Sequence, residues 1–188
     1  IASHDPQRIS ELEHAARVPA VVAQLLLCRG ISHPQVARAF LDAPMSGLRA
    51  PLELPGMLPA AEALIRAVRA GKEIIVYGDY DVDGVSGSSI LLEALRVLKA
   101  KVRYHIPHRS TAGYGLNAIA LRKLAQPGAQ VVVTVDCGIT AVAEARLAKE
   151  LGIELIVTDH HEMADELPDA LLVHPRLPGS SYPFTGLS

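Results

Sequence analysis

The chain has 188 residues, 49% hydrophobic and 20% charged, a balance that excludes a disordered segment and favours one domain with a proper core. A formal net charge of −2 provides no cationic surface over the whole chain, so a polyanion would have to be held by local cations or bound metal. Aromatic residues make up only 4% and Trp is absent, so aliphatic strands and Ala/Leu-rich helices must build the core, which points to α/β.

Cys28 and Cys137, the two cysteines, are too few and too scattered for a disulfide framework and predict free thiols in a reducing compartment. No run of about 18 apolar residues occurs, and IASHDPQRIS lacks the layout of a signal peptide. The expectation is a cytoplasmic protein without membrane association. The start at Ile1 and the stop within SSYPFTGLS predict a piece of a longer chain.

Residues 1–72 contain no strand-like run. VPAVVAQLLLCRG and HPQVARAFLDAP read as short helices, with Gly30 and Pro44 as stop signals. Pro51, Pro55 and Pro59 predict a loop, and AAEALIRAVRA a helix with apolar positions 64, 65 and 68 and a C-terminal cap at Gly71. From Glu73 the texture changes. EIIVYG, KVRYHIP, QVVVTVDC, IELIVTD and ALLVHP are short β-rich runs, and at least three of the stretches between them have helical composition. Runs apolar on consecutive positions suit strands covered on both faces. The prediction is therefore a doubly wound, mostly parallel five-stranded sheet flanked by helices over 73–188, with a helical region over 1–72 packed on it.

Ligands of such sheets sit at the carboxyl ends of the strands. There stand Asp79, Asp81 and Asp83 of DYDVDG, Asp136 after VVVTV, Asp159-His160-His161 after LIVT, and His174 after ALLV. Parallel strands lie about 4.8 Å apart, so these side chains can meet in one coordination sphere. Carboxylate oxygen with imidazole nitrogen suits Mn²⁺ or Mg²⁺, and several acidic ligands suggest two ions. Clustered carboxylates repel one another unless a cation neutralises them, which favours a metal role for DYDVDG over helix capping; no glycine-rich phosphate motif competes. Asp136 reads equally as cap or ligand until Gly138 is considered, which allows backbone to approach substrate closely. Asp159 fits an orienter of a metal-bound imidazole. His174 is open between a functional group and a structural turn before Pro175. IPHRSTAGYGL offers His108 and Arg109, the latter a planar donor for phosphate or an ordinary surface cation.

VYGDYDVDGVSGSSILLEALRVL, IPHRSTAGYGL, VVVTVDCGI, LIVTDHHE and PDALLVHPRLPGSSYPF, taken with RGISHPQVARAFLDAP, resemble the RecJ branch of the DHH phosphoesterases in order and spacing. DYDVDG together with TDHH carries the specificity; DHH alone would be weak. The resemblance implies a two-metal nuclease using Mn²⁺ or Mg²⁺ that degrades single-stranded DNA from the 5′ end in recombination and repair. A helicase and a single-strand-binding protein are candidate partners. Carried over by position, Asp81 and Asp83 correspond to metal ligands with Asp79 beside them, Asp136 to a bridging carboxylate, and His160 to an imidazole ligand. His161 would then face the scissile phosphate, Asp159 orient the pair, and Arg109, near His108, hold a phosphate. The family also carries a further acidic ligand and a smaller lobe beyond residue 188, and many relatives have Asn where His174 stands. Rival readings are a phosphoesterase acting on short oligonucleotides, cyclic dinucleotides or pyrophosphate, a non-catalytic replication scaffold, and a nucleotide-binding Rossmann module.

Overall fold

The five β-rich runs are five parallel strands in the computed structural model, which describes residues 5–108, 115–184 and 186. They are β1 (Glu73–Gly78), β2 (Lys101–His105), β3 (Val131–Val135), β4 (Glu154–Thr158) and β5 (Leu171–Val173), in spatial order β2-β1-β3-β4-β5. The chain forms two compact units, Ile1–Arg49 and Ala50–Ser188.

Among the described residues of the second unit the α-helices are α4 (Met57–Arg69), α5 (Val82–Val97), α6 (Ala118–Ala125) and α7 (Val142–Glu150). Strand alternation sorts the core into two layers. Ile74, Val76, Val131, Val133 and Ile156 face α4 and α5, whereas Ile75, Tyr77, Val132, Leu155 and Val157 face α6 and α7. A parallel sheet buried on both faces has no use for alternating polar residues, which is why LIV is apolar throughout and VVVTV is apolar at every position but Thr134. β2 lies at an edge, and its exposed Lys101 and Arg103 oppose further strand pairing.

The doubly wound prediction therefore stands, with every strand pair parallel. One local expectation is corrected. Pro59 lies in the first turn of α4, where its missing N–H costs no hydrogen bond. The fully buried stripe of that helix is Ala60, Ala63 and Ala67; Leu64 and Val68 are only partly buried and Ile65 is exposed. Small residues let the helix axis approach the sheet closely. Gly71 does cap α4 as expected, at φ 66°, with Lys72 N–H donating to Ala67 O over 3.0 Å.

The first unit contains α1 (Pro6–Ala16), α2 (Ala20–Cys28) and α3 (Pro34–Asp42) around Leu12, Ala16, Ala23, Leu26 and Ala37. α1 was not among the predicted helices, although Asp5 and Pro6 form an ordinary start signal, the Asp5 carboxylate accepting from Gln7 N–H at 2.8 Å. Among the described residues, no helix is long and apolar enough to cross a membrane.

Candidate metal centre at the strand ends

The order β2-β1-β3 means that the chain reverses direction across the sheet between β1 and β3, and the crevice at such a switch point is where ligands of this architecture bind. The acidic residues are fixed there by the last rungs of the ladder. Asp79 N–H donates to Val135 O at 3.2 Å, Asp136 N–H to Thr158 O at 3.0 Å, and Asp159 N–H to Val173 O at 3.1 Å. Each carboxylate thus leaves its strand from a backbone held by the neighbouring strand.

The first loop turns directly into α5. Asp81 is its N-cap, the carboxylate accepting from Gly84 N–H at 3.0 Å, and Asp83 stands in the first turn. Capping and metal ligation were posed as alternatives for such residues, yet here one carboxylate oxygen caps and the group still converges with Asp79 and Asp136. Gly84 permits the turn: a Cβ there would lie 2.7 Å from the N and O atoms of Asp79.

Asp136 adopts φ 64°, an unusual conformation for a non-glycine residue and one that concentrates at functional sites. The buried Thr134 hydroxyl holds the turn by donating to Cys137 O at 2.6 Å, and Thr158 donates to Thr134 O at 2.7 Å. Gly138, at φ 108°, is required by backbone conformation, and the atoms nearest to a Cβ there belong to Thr134 and Val157. Its backbone conformation by itself therefore calls for glycine.

At the end of β4, Asp159 organises the tandem histidines. Its Oδ1 accepts from His160 N–H at 2.7 Å and His161 N–H at 3.1 Å and lies 2.8 Å from His161 Nδ1, while Oδ2 accepts from Ile139 N–H at 2.9 Å. Burial works against its charge, but the bonds from Ile139, His161 and His160 prevail and hold the carboxyl below the usual carboxylate range. Burial likewise disfavours charge on His161, yet Asp159 and then Asp136 raise its pKa above the ordinary value.

The convergence expected from strand spacing is present. His160 Nε2 lies 2.8 Å from Asp136 Oδ1 and 3.5 Å from Asp83 Oδ2, and His161 Nδ1 lies 3.8 Å from Asp136 Oδ1. Asp136, His160 and His161 form one group whose ligand atoms lie within 4.8 Å of one another; Asp79, Asp81 and Asp136 form a second. Asp136 belongs to both, as a carboxylate shared by two cations would. Its pKa is pushed up to about 6 by burial and by the charge of Asp83, with the His160 hydrogen bond acting in the opposite sense. A donor set of carboxylate oxygen and imidazole nitrogen without thiolate fits Mn²⁺ or Mg²⁺.

His108 stands apart, lining a cavity of about 700 Å³ with His105, Asn117 and Lys123. Arg109 lies outside the described residues. Sequence reasoning missed the two threonine hydroxyls, although a Thr within the apolar run VVVTV was a visible signal. It also missed an apolar cavity of about 490 Å³ that Asp83, Asp136 and His160 share with Met57, Leu64 and Leu91. Nothing in the order of residues foretells that cavity.

A family model described as the DHH family, N-terminal domain, matches residues 73–187. The single-stranded-DNA-specific exonuclease RecJ of Bacillus subtilis strain 168 is 42% identical over 185 residues, covering 98% of this chain and 24% of the relative. A crystal structure of exonuclease RecJ bound to manganese has a TM-score of 0.66 at 44% identity, over 70% of this chain and 34% of that one. RecJ from Thermus thermophilus, in complex with Mn²⁺, has a TM-score of 0.69 at 34% identity, over 96% of this chain and 25% of that one. The chain spans about a quarter of the length of the curated relative from B. subtilis.

Proposed function

This chain belongs to the DHH family, and from that premise we propose that residues 73–188 are the catalytic lobe of a metal-dependent, single-stranded-DNA-specific exonuclease working 5′ to 3′. The observation that carries the reading is the meeting of Asp79, Asp81, Asp136, His160 and His161 at one switch-point crevice. Residues 1–72 serve as its helical N-terminal region. The protein acts in the cytoplasm in recombination and repair, alongside a helicase and a single-strand-binding protein.

Asp79, Asp81, Asp83, Asp136 and His160 are the residues that would hold Mn²⁺ or Mg²⁺, Asp136 being the carboxylate that belongs to both groups. Ions bound there supply Lewis-acid polarisation of a phosphoryl oxygen and a water of lowered pKa. The protein's own part is positioning. Asp159 retains a proton at His161 Nδ1, so that Nε2 is the ring atom left for the scissile phosphate or the leaving oxygen. Arg109, with His108 nearby, is the proposed phosphate contact.

The test is digestion of a 5′-labelled single strand by the full-length protein with Mn²⁺. Wild type is expected to release short 5′ products, and Asp136→Ala or His160→Ala to abolish release while leaving the circular dichroism spectrum intact. Cleavage confined to dinucleotides would replace the exonuclease reading with a phosphoesterase of short substrates. Undiminished digestion by Asp136→Ala would reject the site.

A further inference from the structure

His174 was open between function and a simple turn, and the structure gives it a specific set of partners. It follows β5, is completely buried, and points its Nε2 at the backbone oxygen of His161, 2.8 Å away. Its Nδ1 lies 3.1 Å from Arg176 N. A backbone N–H can only donate, so Nδ1 accepts, and the ring proton belongs on Nε2, where it is donated to His161 O. Two residues further on, Arg176 Nη2 donates to His160 O at 3.1 Å while Nη1 pairs with Glu162 at 2.6 Å.

These bonds complete a pattern begun by Asp159, whose Oδ1 takes the N–H groups of His160 and His161. Both N–H groups and both carbonyls of the tandem histidines are therefore held, the first pair by the end of β4 and the second by the segment after β5. A histidine's ring direction follows from its backbone as well as from its own torsions. Free peptide planes at 160 and 161 would let the rings, whose centroids are 4.6 Å apart, swing away from Asp136. A group that touches neither metal nor substrate can in this way control both ligand and phosphate-facing imidazoles.

We infer that His174, with Arg176, is a positioning residue that fixes the His160-His161 backbone through its carbonyls and so sets the direction of both rings. This deepens the proposed function and rests on it for its catalytic consequence, though not for its structural content. His174→Leu removes donor and acceptor but keeps an apolar volume; His174→Gln keeps an N–H donor of similar reach; Arg176→Gln weakens the grip on His160 O from a partly exposed position.

Three readouts are taken: kcat and KM on single-stranded DNA with the full-length protein, the Mn²⁺ concentration for half-maximal rate, and long-range ¹H–¹⁵N spectra of the imidazoles without metal. His174→Leu and Arg176→Gln are expected to lower kcat or raise the Mn²⁺ requirement by roughly 10-fold to 100-fold at unchanged KM, the range seen when partners of metal ligands are removed. His174→Gln should recover most of that loss. The spectra should show wild-type His174 protonated at Nε2, and His160 and His161 ring signals that shift toward those of mobile imidazoles in His174→Leu. If His174→Leu does not fold, Arg176→Gln and the wild-type tautomer decide. Wild-type kinetics in Arg176→Gln or a folded His174→Leu, no recovery by His174→Gln, or a proton on Nδ1 of His174 would each overturn the inference. Failure of wild type to hydrolyse single-stranded DNA would instead remove the proposed function, leaving tautomer and ring signals to judge the positioning.

Discussion

Asp136 combines a left-handed backbone, near-complete burial and the charge of Asp83 nearby. Because burial and repulsion raise its pKa to about 6, a proton and a metal ion compete for it near neutrality. The sign follows from which form binds: the cation needs the carboxylate, so affinity is full above the raised pKa and falls as pH drops through it. Calorimetry should find Mn²⁺ affinity weakening by up to about tenfold per pH unit below that point, with uptake of Mn²⁺ releasing a proton. A flat affinity between acid and neutral pH would disprove the coupling. Gly84 offers an independent check, since the added methyl of Gly84→Ala meets the Asp79 backbone at 2.7 Å. Overpacking of that kind should cost about 1–3 kcal/mol in urea denaturation and weaken Mn²⁺ binding with it, because Asp79 must move. At this scale the sequence was most informative about residue type. Asp, Asp and His at strand ends could be read directly, since chemistry and strand spacing are both local. The position of Asp81 as a cap that also converges with Asp79 and Asp136 could not, and neither could His174, whose partner is a carbonyl contributed by His161.

The three loops that carry the site each follow a strand in the middle of the sheet, and their precision comes from elements well away from the acidic residues. α4 is the clearest case. Its N-cap, Gly56, has φ 79°, and a Cβ there would lie 1.7 Å from Leu172 O in β5, the strand that leads into His174. Gly56→Ala therefore combines a left-handed penalty of about 1–2 kcal/mol with a clash that backbone must absorb, and unfolding by urea should show a loss above that figure. A loss of only a few tenths would mean that α4 starts without touching β5. Element types were legible because consecutive apolar runs and helical composition are strong signals. Their partners were less so. A helix of sequence MLPAAEALIRAVR offers both an alanine stripe and a leucine-rich stripe, and periodicity alone does not reveal that the sheet takes the alanines. α1 escaped notice for a related reason: only Leu12 and Ala16 of its residues are buried, so its apolar signal is slight.

The whole chain divides into two units with separate cores, one centred on Leu12 and Leu26 and the other on the sheet. The expected break after residue 72 and the observed division at Arg49 differ by α4 and the segment before it, whose packing partner lies later in the chain. Every proposed ligand belongs to the unit Ala50–Ser188. Metal binding stabilises what it binds by mass action, about 2.7 kcal/mol at a concentration 100 times the dissociation constant, and units with their own cores can open separately. Hydrogen exchange with Mn²⁺ against chelator should therefore show slowed exchange at 79–84, 136–139 and 159–161 and through the sheet. Helices α1, α2 and α3 should exchange as before. Equal protection of the helical unit would mean that the two open together, and that the cation stabilises one cooperative body; no protection at the strand ends would mean that the acidic and imidazole groups meet there without holding a metal.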